Sequence, residues 1–255
     1  MSVTADEYLW GILNREAVDT GQTSPVRGVQ ATLMPTLRAW AGNQLVSVEP
    51  SGSFAKGTAN KSGTDIDLFI SLAEDTTNTL KEIYESLFSA VQSAGYSPKR
   101  QNVSINIRVG SYDVDLVPGK RQDRYSDDHS LYRRKADTWI KTNVKTHINT
   151  VIAGRRAPES RILKLWRNQK SFDFPSFYLE LVAIEALRQN ATTSLATNVQ
   201  RVFAYLRDTF PNARFVDPAN TNNIISDDLT VAEKGKVRSA AEAAISAPYW
   251  SGVVT

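Results

Sequence analysis

The 255-residue sequence predicts an α+β fold in two parts, a small mixed sheet and then a helical half. Three features point there. Asp65 to Leu72 alternates Ile66, Leu68 and Ile70 against Asp65, Asp67 and Phe69, as a half-buried strand does. NVSINIRV and SYDVDLVP, separated by Gly110, are two more alternating runs and read as a hairpin or close to it. From Asp137 onward the chain reads mostly helical.

Taken in order, Thr4 caps a first helix running to about Val18, and Ser24 followed by Pro25 starts a second through Trp40. Val46 to Pro50 is a short strand, and the strand from Asp65 follows a glycine-rich segment. Thr77 to Gly95 carries Leu80, Ile83, Tyr84, Leu87 and Val91 at helical spacing, with Gly95 as its stop. After the hairpin come helices at about Val144 to Ala153, Pro158 to Gln169, Pro175 to Gln189, Ser194 to Thr209 and Leu229 to Ser246. The connection DPANTNNIISDD is rich in turn formers. A boundary falls between Asp137 and Asn143, dividing the chain into residues 1–140 and 141–255, with the opening helices able to pack back on the second part.

Composition narrows the class. An apolar fraction of 41% is ample for a core, and no stretch reaches the roughly 20 apolar residues of a membrane span. MSVTADEYLWGIL lacks the basic start and cleavage site of a signal peptide, so a cytoplasmic protein, acting as a monomer, is expected. Zero cysteines exclude disulfides, thiolate catalysis and cysteine-ligated zinc. A net charge of +3 is too mild to announce a nucleic-acid binder, although basic residues cluster at Lys99-Arg100, Lys120-Arg121, Arg133-Arg134-Lys135 and Arg155-Arg156. Each cluster alone reads as a solvated face.

The chemistry starts at SGSFAKGTANKSGTDIDLFIS, Ser51 to Ser71. Strand alternation points Asp65 and Asp67 the same way, and Asp113 and Asp115 repeat the arrangement. Either pair alone reads as the polar face of a half-exposed strand. Asp65, Asp67 and Asp115 gathered at one sheet edge would repel one another unless they held a cation, and all-oxygen ligation suits Mg²⁺ or Mn²⁺. Gly52-Ser53 and Gly57-Thr58 just upstream offer open backbone N–H groups, a hydroxyl and a short helix start, which together make an anion site. An anion site beside a metal site reads as metal-bound polyphosphate, with neither the Walker nor the Rossmann glycine pattern present.

Gly52-Ser53, Gly57-Thr58, Asp65-Ile66-Asp67-Leu68 and a separate strand with Asp115 resemble the signature of the DNA polymerase β-type nucleotidyltransferases. In order, WIKTN (139–143), LKLW (163–166), PSFYLEL (175–181) and DPANTNN (217–223) are similar to the helical half of the 2′-5′-oligoadenylate synthase and cGAS/DncV-like enzymes, whose bacterial members are called CD-NTases. The Asp-Pro-x-Asn-x-x-Asn element is shared in weaker form with archaeal CCA-adding enzymes.

This resemblance implies a polymerase β-like nucleotidyltransferase lobe and a helical second lobe, with nucleoside triphosphates as substrates and two Mg²⁺ (or Mn²⁺) ions held by Asp65, Asp67 and Asp115. One ion would activate an attacking ribose hydroxyl and the other steady the triphosphate and leaving pyrophosphate. It also implies that Gly52 and Ser53 hold the β and γ phosphates, that Lys164 and Ser176 reach the triphosphate, and that Phe177 stacks on the donor base. Beside that stand plainer readings: Lys164 as a surface lysine, Phe177 as a core residue with Leu181 and Ile184, and His129 and His147 as exposed. By the resemblance the product is a cyclic di- or oligonucleotide messenger in bacterial antiphage defence. The rival is transfer to an RNA 3′ end or another macromolecule; a catalytically dead nucleotide-binding module is opposed by the intact carboxylates. Too few cysteines and histidines are present for a zinc module of the animal cGAS kind.

Overall fold

A computed structural model describes residues 3–255 except Gln22 and Thr64. In chain order the elements run α1 (Ala5–Arg15), α2 (Pro25–Ala41), β1 (Leu45–Pro50), α3 (Gly52–Ala55), β2 (Ile66–Leu72) and α4 (Leu80–Ser93). Then come β3 (Lys99–Arg100), β4 (Ile105–Val109), β5 (Tyr112–Arg121), β6 (His129–Arg133) and β7 (Thr138–Thr142). The remainder is α5 (Val144–Gly154), α6 (Ala157–Gln169), α7 (Ser176–Ala186), α8 (Leu195–Asp208), β8 (Val216–Asp217), β9 (Asn220–Ile224) and α9 (Val231–Ser246). The chain forms two compact units, one of Met1–Val18, Lys56–Gly63 and Asn149–Thr255, the other of Asp19–Ala55 and Thr64–Ile148.

The second unit is built on a mixed sheet in the order β1-β2-β5-β4-β3, with β6 pairing β5 and β7 pairing β6. β2 and β5 run parallel; every other pair is antiparallel. Ile66, Leu68, Ile70 and Leu72 alternate along β2 and are all buried, and Val114 and Leu116 stand beside Ile66 and Leu68 on β5. The buried stripes of α2 (Val26, Val29, Leu33, Leu37) and α4 (Ile83, Tyr84, Leu87, Val91) pack on the sheet and on each other. Capping is local and legible: Ser24 accepts from the Val26 N–H ahead of Pro25, and Thr79 forms a capping box with Glu82. The hairpin of β4 and β5 turns through Gly110 and Ser111, with Gly110 at φ 60°, the left-handed value a two-residue hairpin loop needs.

The first unit is helical and aromatic-rich inside. Trp166 meets Phe203 edge to face at 5.0 Å, and Phe174, Tyr178 and Phe210 pack together within 5.5 Å between ring centroids. Leu9, Ile12 and Leu13, the buried stripe of α1, join this core. So α1 belongs with the C-terminal helices and α2 with the sheet, a different partition from a single cut at 140/141. The physical reason is that each amphipathic stripe is buried where its apolar partners are.

Several elements differ from the sequence expectation. α1 stops at Arg15 rather than Val18, because the Glu16 carbonyl is taken by the Lys61 N–H at 3.1 Å. β2 starts at Ile66, so Asp65 precedes the strand. Residues 138–142 are not helical: β6 and β7 form a hairpin, and most of the WIKTN segment is the strand β7 of the sheet unit. The turn-rich connection holds the short hairpin β8–β9, where buried Asp217 accepts from the Ala219 N–H at 2.8 Å and from Asn223 Nδ2 at 3.1 Å. These strands are short and polar, and polar alternation carries little periodic signal.

One close contact makes a test of the sheet. A Cβ built on Gly119 would lie 2.6 Å from Phe69 Cζ and 2.9 Å from Leu131 Cδ2. Gly119→Ala is expected to lose about 1–3 kcal/mol of stability by overpacking, read as a lower urea midpoint at unchanged m-value, whereas Gly28→Ala, which meets nothing within 4 Å, should not.

Candidate active site

The sheet unit brings the carboxylates to one end of two neighbouring strands. Asp67 of β2 stands directly opposite Asp115 of β5 in the parallel register, and Asp65 and Asp113 lie two residues earlier on their respective segments. Parallel pairing at zero offset is what puts both Asp-x-Asp motifs on the same face. Desolvation, then repulsion from Asp113, pushes the Asp65 carboxyl above its ordinary range. Asp115 is also raised, by burial first; the Asn106 hydrogen bond works the other way, and Asp65 and Asp113 add to the rise. Asn106 Nδ2 donates to Asp115 Oδ1 at 2.9 Å and Gln101 Nε2 donates to the same oxygen at 3.1 Å.

Gly52 explains the segment before β2. Its φ is 55°, and a Cβ there would sit 1.7 Å from Asp67 Oδ2, so the Gly52 backbone lies directly against the carboxylate. The Ser51 N–H donates to the Asp67 carbonyl at 2.8 Å and fixes that approach. Ser53 follows, half-buried in the single turn α3. Among the described residues no group of three or more His, Cys, Asp or Glu side chains is already gathered as a cation cage. What the strands supply is a row of oxygen donors whose mutual repulsion a hard divalent cation would relieve, and that donor set fits Mg²⁺ or Mn²⁺.

The helical unit carries the remaining expected residues. Lys164 is not a surface lysine: it is 5% exposed, and its Nζ donates to Glu180 Oε1 at 2.5 Å and to Thr58 Oγ1 at 2.8 Å. Lys56 reaches the other Glu180 oxygen at 3.0 Å, and Thr58 donates to Oε1. Glu180 is fully buried; burial pushes its pKa up, Lys164 and Lys56 more than reverse that, and it stays ionised. Burial holds Lys164 below its ordinary range against the pull of Glu180. Thr58, the last residue of the glycine-rich motif, is therefore a strut of this network. Ser176 begins α7 and accepts from Arg167 Nη1 at 2.9 Å. Phe177 is half-buried against the helical core, with Lys56 Nζ 4.7 Å from its ring centroid.

Other residues escaped the sequence. Glu180 was signalled only by being a charge inside the apolar run YLELVAI. Asn106 could have been found by counting back across the Gly110 turn, which sets it opposite Asp115. Asp113, outside the expected metal set, contributes to the repulsion at Asp65 and Asp115. His129, expected to be exposed, is 4% exposed: it lies on β6, whose alternate residues His129 and Leu131 face inward. Its Nε2 is 2.8 Å from Ser71 Oγ, its Nδ1 is 2.8 Å from the Asp127 carbonyl, and burial pushes its pKa down. His147 is half-buried on α5.

Comparison with known proteins identifies what the chain is similar to. Residues 38–98 match the family model of the nucleotidyltransferase domain. The cyclic AMP-AMP-AMP synthase of Escherichia coli strain MS 115-1 is 26% identical over 202 residues, covering 70% of this chain and 63% of that protein, so less than two thirds of the relative's length is spanned. The structure of E. coli MS115-1 CdnC with ATP superimposes with a TM-score of 0.76 at 21% identity, over 97% of this chain and 94% of that one. That of the Bradyrhizobium diazoefficiens CD-NTase CdnG with GTP gives 0.75 at 14% identity, over 96% and 93%. No helix among the described residues is long and apolar enough to cross a membrane.

Two outcomes follow from the electrostatics. An acid whose pKa is raised by folding binds its proton more tightly in the folded state, so the metal-free protein loses stability as pH rises through that raised value. Asp115→Asn is thus expected to raise the metal-free melting temperature at pH 7 by about 2 °C, with the gain shrinking towards pH 4, while Mg²⁺ stabilises the parent more than the variant. In the helical unit, Glu180→Ala strands two buried ammonium groups and should cost about 3–5 kcal/mol in a urea melt; Lys164→Met leaves Lys56 on Glu180 and should cost less.

Proposed function

Taking as premise a chain that carries a nucleotidyltransferase domain and is homologous to the CD-NTases in sequence and structure, we propose that it joins nucleoside triphosphates into a cyclic di- or oligonucleotide messenger. The observation that carries this reading is Asp67 opposite Asp115 on parallel strands, with the Gly52 backbone pressed on the Asp67 carboxylate. Asp65, Asp67 and Asp115 would hold two Mg²⁺ or Mn²⁺ ions. Bound there, the ions supply Lewis acidity to a ribose hydroxyl and to the triphosphate oxygens.

The chain's own groups do the positioning. Asn106 and Gln101 pin one oxygen of Asp115 and leave Oδ2 without an amide donor, so the carboxylate keeps a fixed direction towards an incoming hydroxyl. Gly52 lets a phosphate oxygen approach the backbone where any side chain would collide with Asp67, and Ser53 would donate its hydroxyl to the β and γ phosphates. In the helical unit Lys56, Lys164 and Arg167 gather around Glu180, with Asp173 also acting on Arg167, and this cluster of cations is what supports the reading of Lys164 and Ser176 as triphosphate contacts. Phe177 would offer its exposed part to the donor base. No protein nucleophile is needed.

The named activity of the E. coli relative, cyclic AMP-AMP-AMP synthesis, favours a cyclic product over transfer to an RNA 3′ end, and a role in bacterial antiphage defence would go with it. Incubating the protein with labelled nucleoside triphosphates and Mg²⁺ or Mn²⁺, with and without tRNA, tests this. Small phosphatase-resistant products are expected. Label confined to RNA would replace the cyclase reading with the rival one. Asp65→Asn with Asp67→Asn should lower turnover by about a thousandfold or more, the several kcal/mol of lost charge stabilisation at about 1.4 kcal/mol per decade.

A further inference from the structure

Three strands end the sheet, β1, β3 and β7, each paired on one side only among the described residues. An open edge presents a row of backbone N–H and C=O groups to any further strand, and proteins usually blunt it. β1 is covered: α2 packs on it, Gln30 Nε2 donates to the Val48 carbonyl at 2.6 Å, and Pro50 ends the strand. β3 is two residues long, and both, Lys99 and Arg100, are charged. β7 has neither protection. It is five residues long, contains no proline and pairs with β6 without a register shift. Thr138 and Trp139 are exposed on it, Trp139 to 56%.

The charge around this edge has one sign. The β6–β7 hairpin, residues 129–142, carries four basic residues, Arg133, Arg134, Lys135 and Lys141, against one acid, Asp137. Asp137 is engaged by Lys81 Nζ at 3.1 Å and by the Tyr132 hydroxyl. Lys141 leans on Asp128. Arg133, Arg134 and Lys135 make no ion pair among the described residues, and the Arg134 Nε hydrogen bond goes to an uncharged group, the Gln101 carbonyl at 3.1 Å. Beside the strand, on the face that Trp139 shares with Ser130, a cavity of about 430 Å³ is lined by Trp139, Leu80, Ser130, Lys120 and Glu74. Glu74 is itself paired with Arg124 at 3.3 Å, so little negative charge faces the cavity.

An unprotected strand edge, an apolar notch beside it and uncompensated cations at its turn are the three parts of strand-addition recognition: main-chain hydrogen bonds for affinity, a side-chain pocket and charge for selectivity. We infer that β7 is a docking edge for an extended acidic segment of a partner protein. The segment adds as a further strand, seats one apolar side chain against Trp139 and Leu80, and turns its carboxylates towards Arg133, Arg134 and Lys135. A second copy of this chain would bring the same cations to the edge, so like charge opposes self-pairing. A nucleic acid would match the charge, but its phosphates would meet the strand's carbonyl oxygens as well as its N–H groups. The surface does not depend on nucleotidyl transfer.

The probe is a short synthetic peptide alternating Glu and Val, titrated into the isotope-labelled full chain and followed by backbone amide shifts and hydrogen exchange. Shifts and slowed exchange are expected at residues 138–142, with an affinity about tenfold above that of a peptide alternating Lys and Val, several exposed charge pairs being at stake. Trp139→Ala, and Arg134→Glu together with Lys135→Glu, should each weaken binding by about tenfold, with circular dichroism and melting temperature unchanged because these side chains are exposed. Amides of β7 that stay unprotected at millimolar peptide, or equal binding of the Lys and Val peptide, overturn the inference. Shifts at β7 produced by single-stranded RNA and not by the peptide would give the edge to a nucleic acid, and a concentration-dependent dimer lost in Trp139→Ala would give it to a second copy; either result also overturns it.

Discussion

The parallel pairing of β2 with β5, in the register that sets Asp67 opposite Asp115, is the constraint on which the candidate site depends. A parallel pair cannot be closed by a tight turn; the chain must leave β2, cross by α4, and return through the β3–β4 edge before β5 can lie beside it. That crossover buries Val91, Leu87 and Ile83 and leaves Asp67 and Asp115 on the opposite side of the strands. A slip of one residue would turn every Asp of one strand into the core. The buried run Ile66, Leu68, Ile70 makes such a slip prohibitive, so the apolar face of β2 is what holds the carboxylates in register.

The carboxylate row is an unfavourable arrangement in isolation, with Asp65 and Asp115 both pushed up, and the fold tolerates it through Asn106, Gln101 and the backbone at Gly52. The helical unit shows the reverse imbalance, two lysines sharing one fully buried carboxylate. A buried pair of this kind contributes little net stability compared with an apolar cluster, yet breaking it is costly.

Much of this was legible because it is local. Caps at Ser24 and Thr79, the Gly110 turn and the helical stripes of α4 and α8 rest on contacts within a few residues, and each is where its sequence signal lies. What escaped depends on distant partners. His129 looked like a polar surface residue until β6 paired with β5 and β7 and turned it towards Ser71. Lys164 looked like a surface lysine on LKLW because Glu180 and Thr58 are remote in sequence. The strand β7 was hidden because a short run with exposed Trp139 and Lys141 has no apolar face of its own.

By itself, then, the sequence determined the α+β order of elements, the two Asp-x-Asp motifs and the glycine that precedes them. These follow from side-chain alternation and from the charge that paired Asp-x-Asp motifs impose. Only the tertiary structure decided which carboxylates stand opposite one another, which helix joins which unit, and how Lys164 is paired. Those are properties of register and packing between residues far apart in the chain, and no local pattern encodes the distance between them.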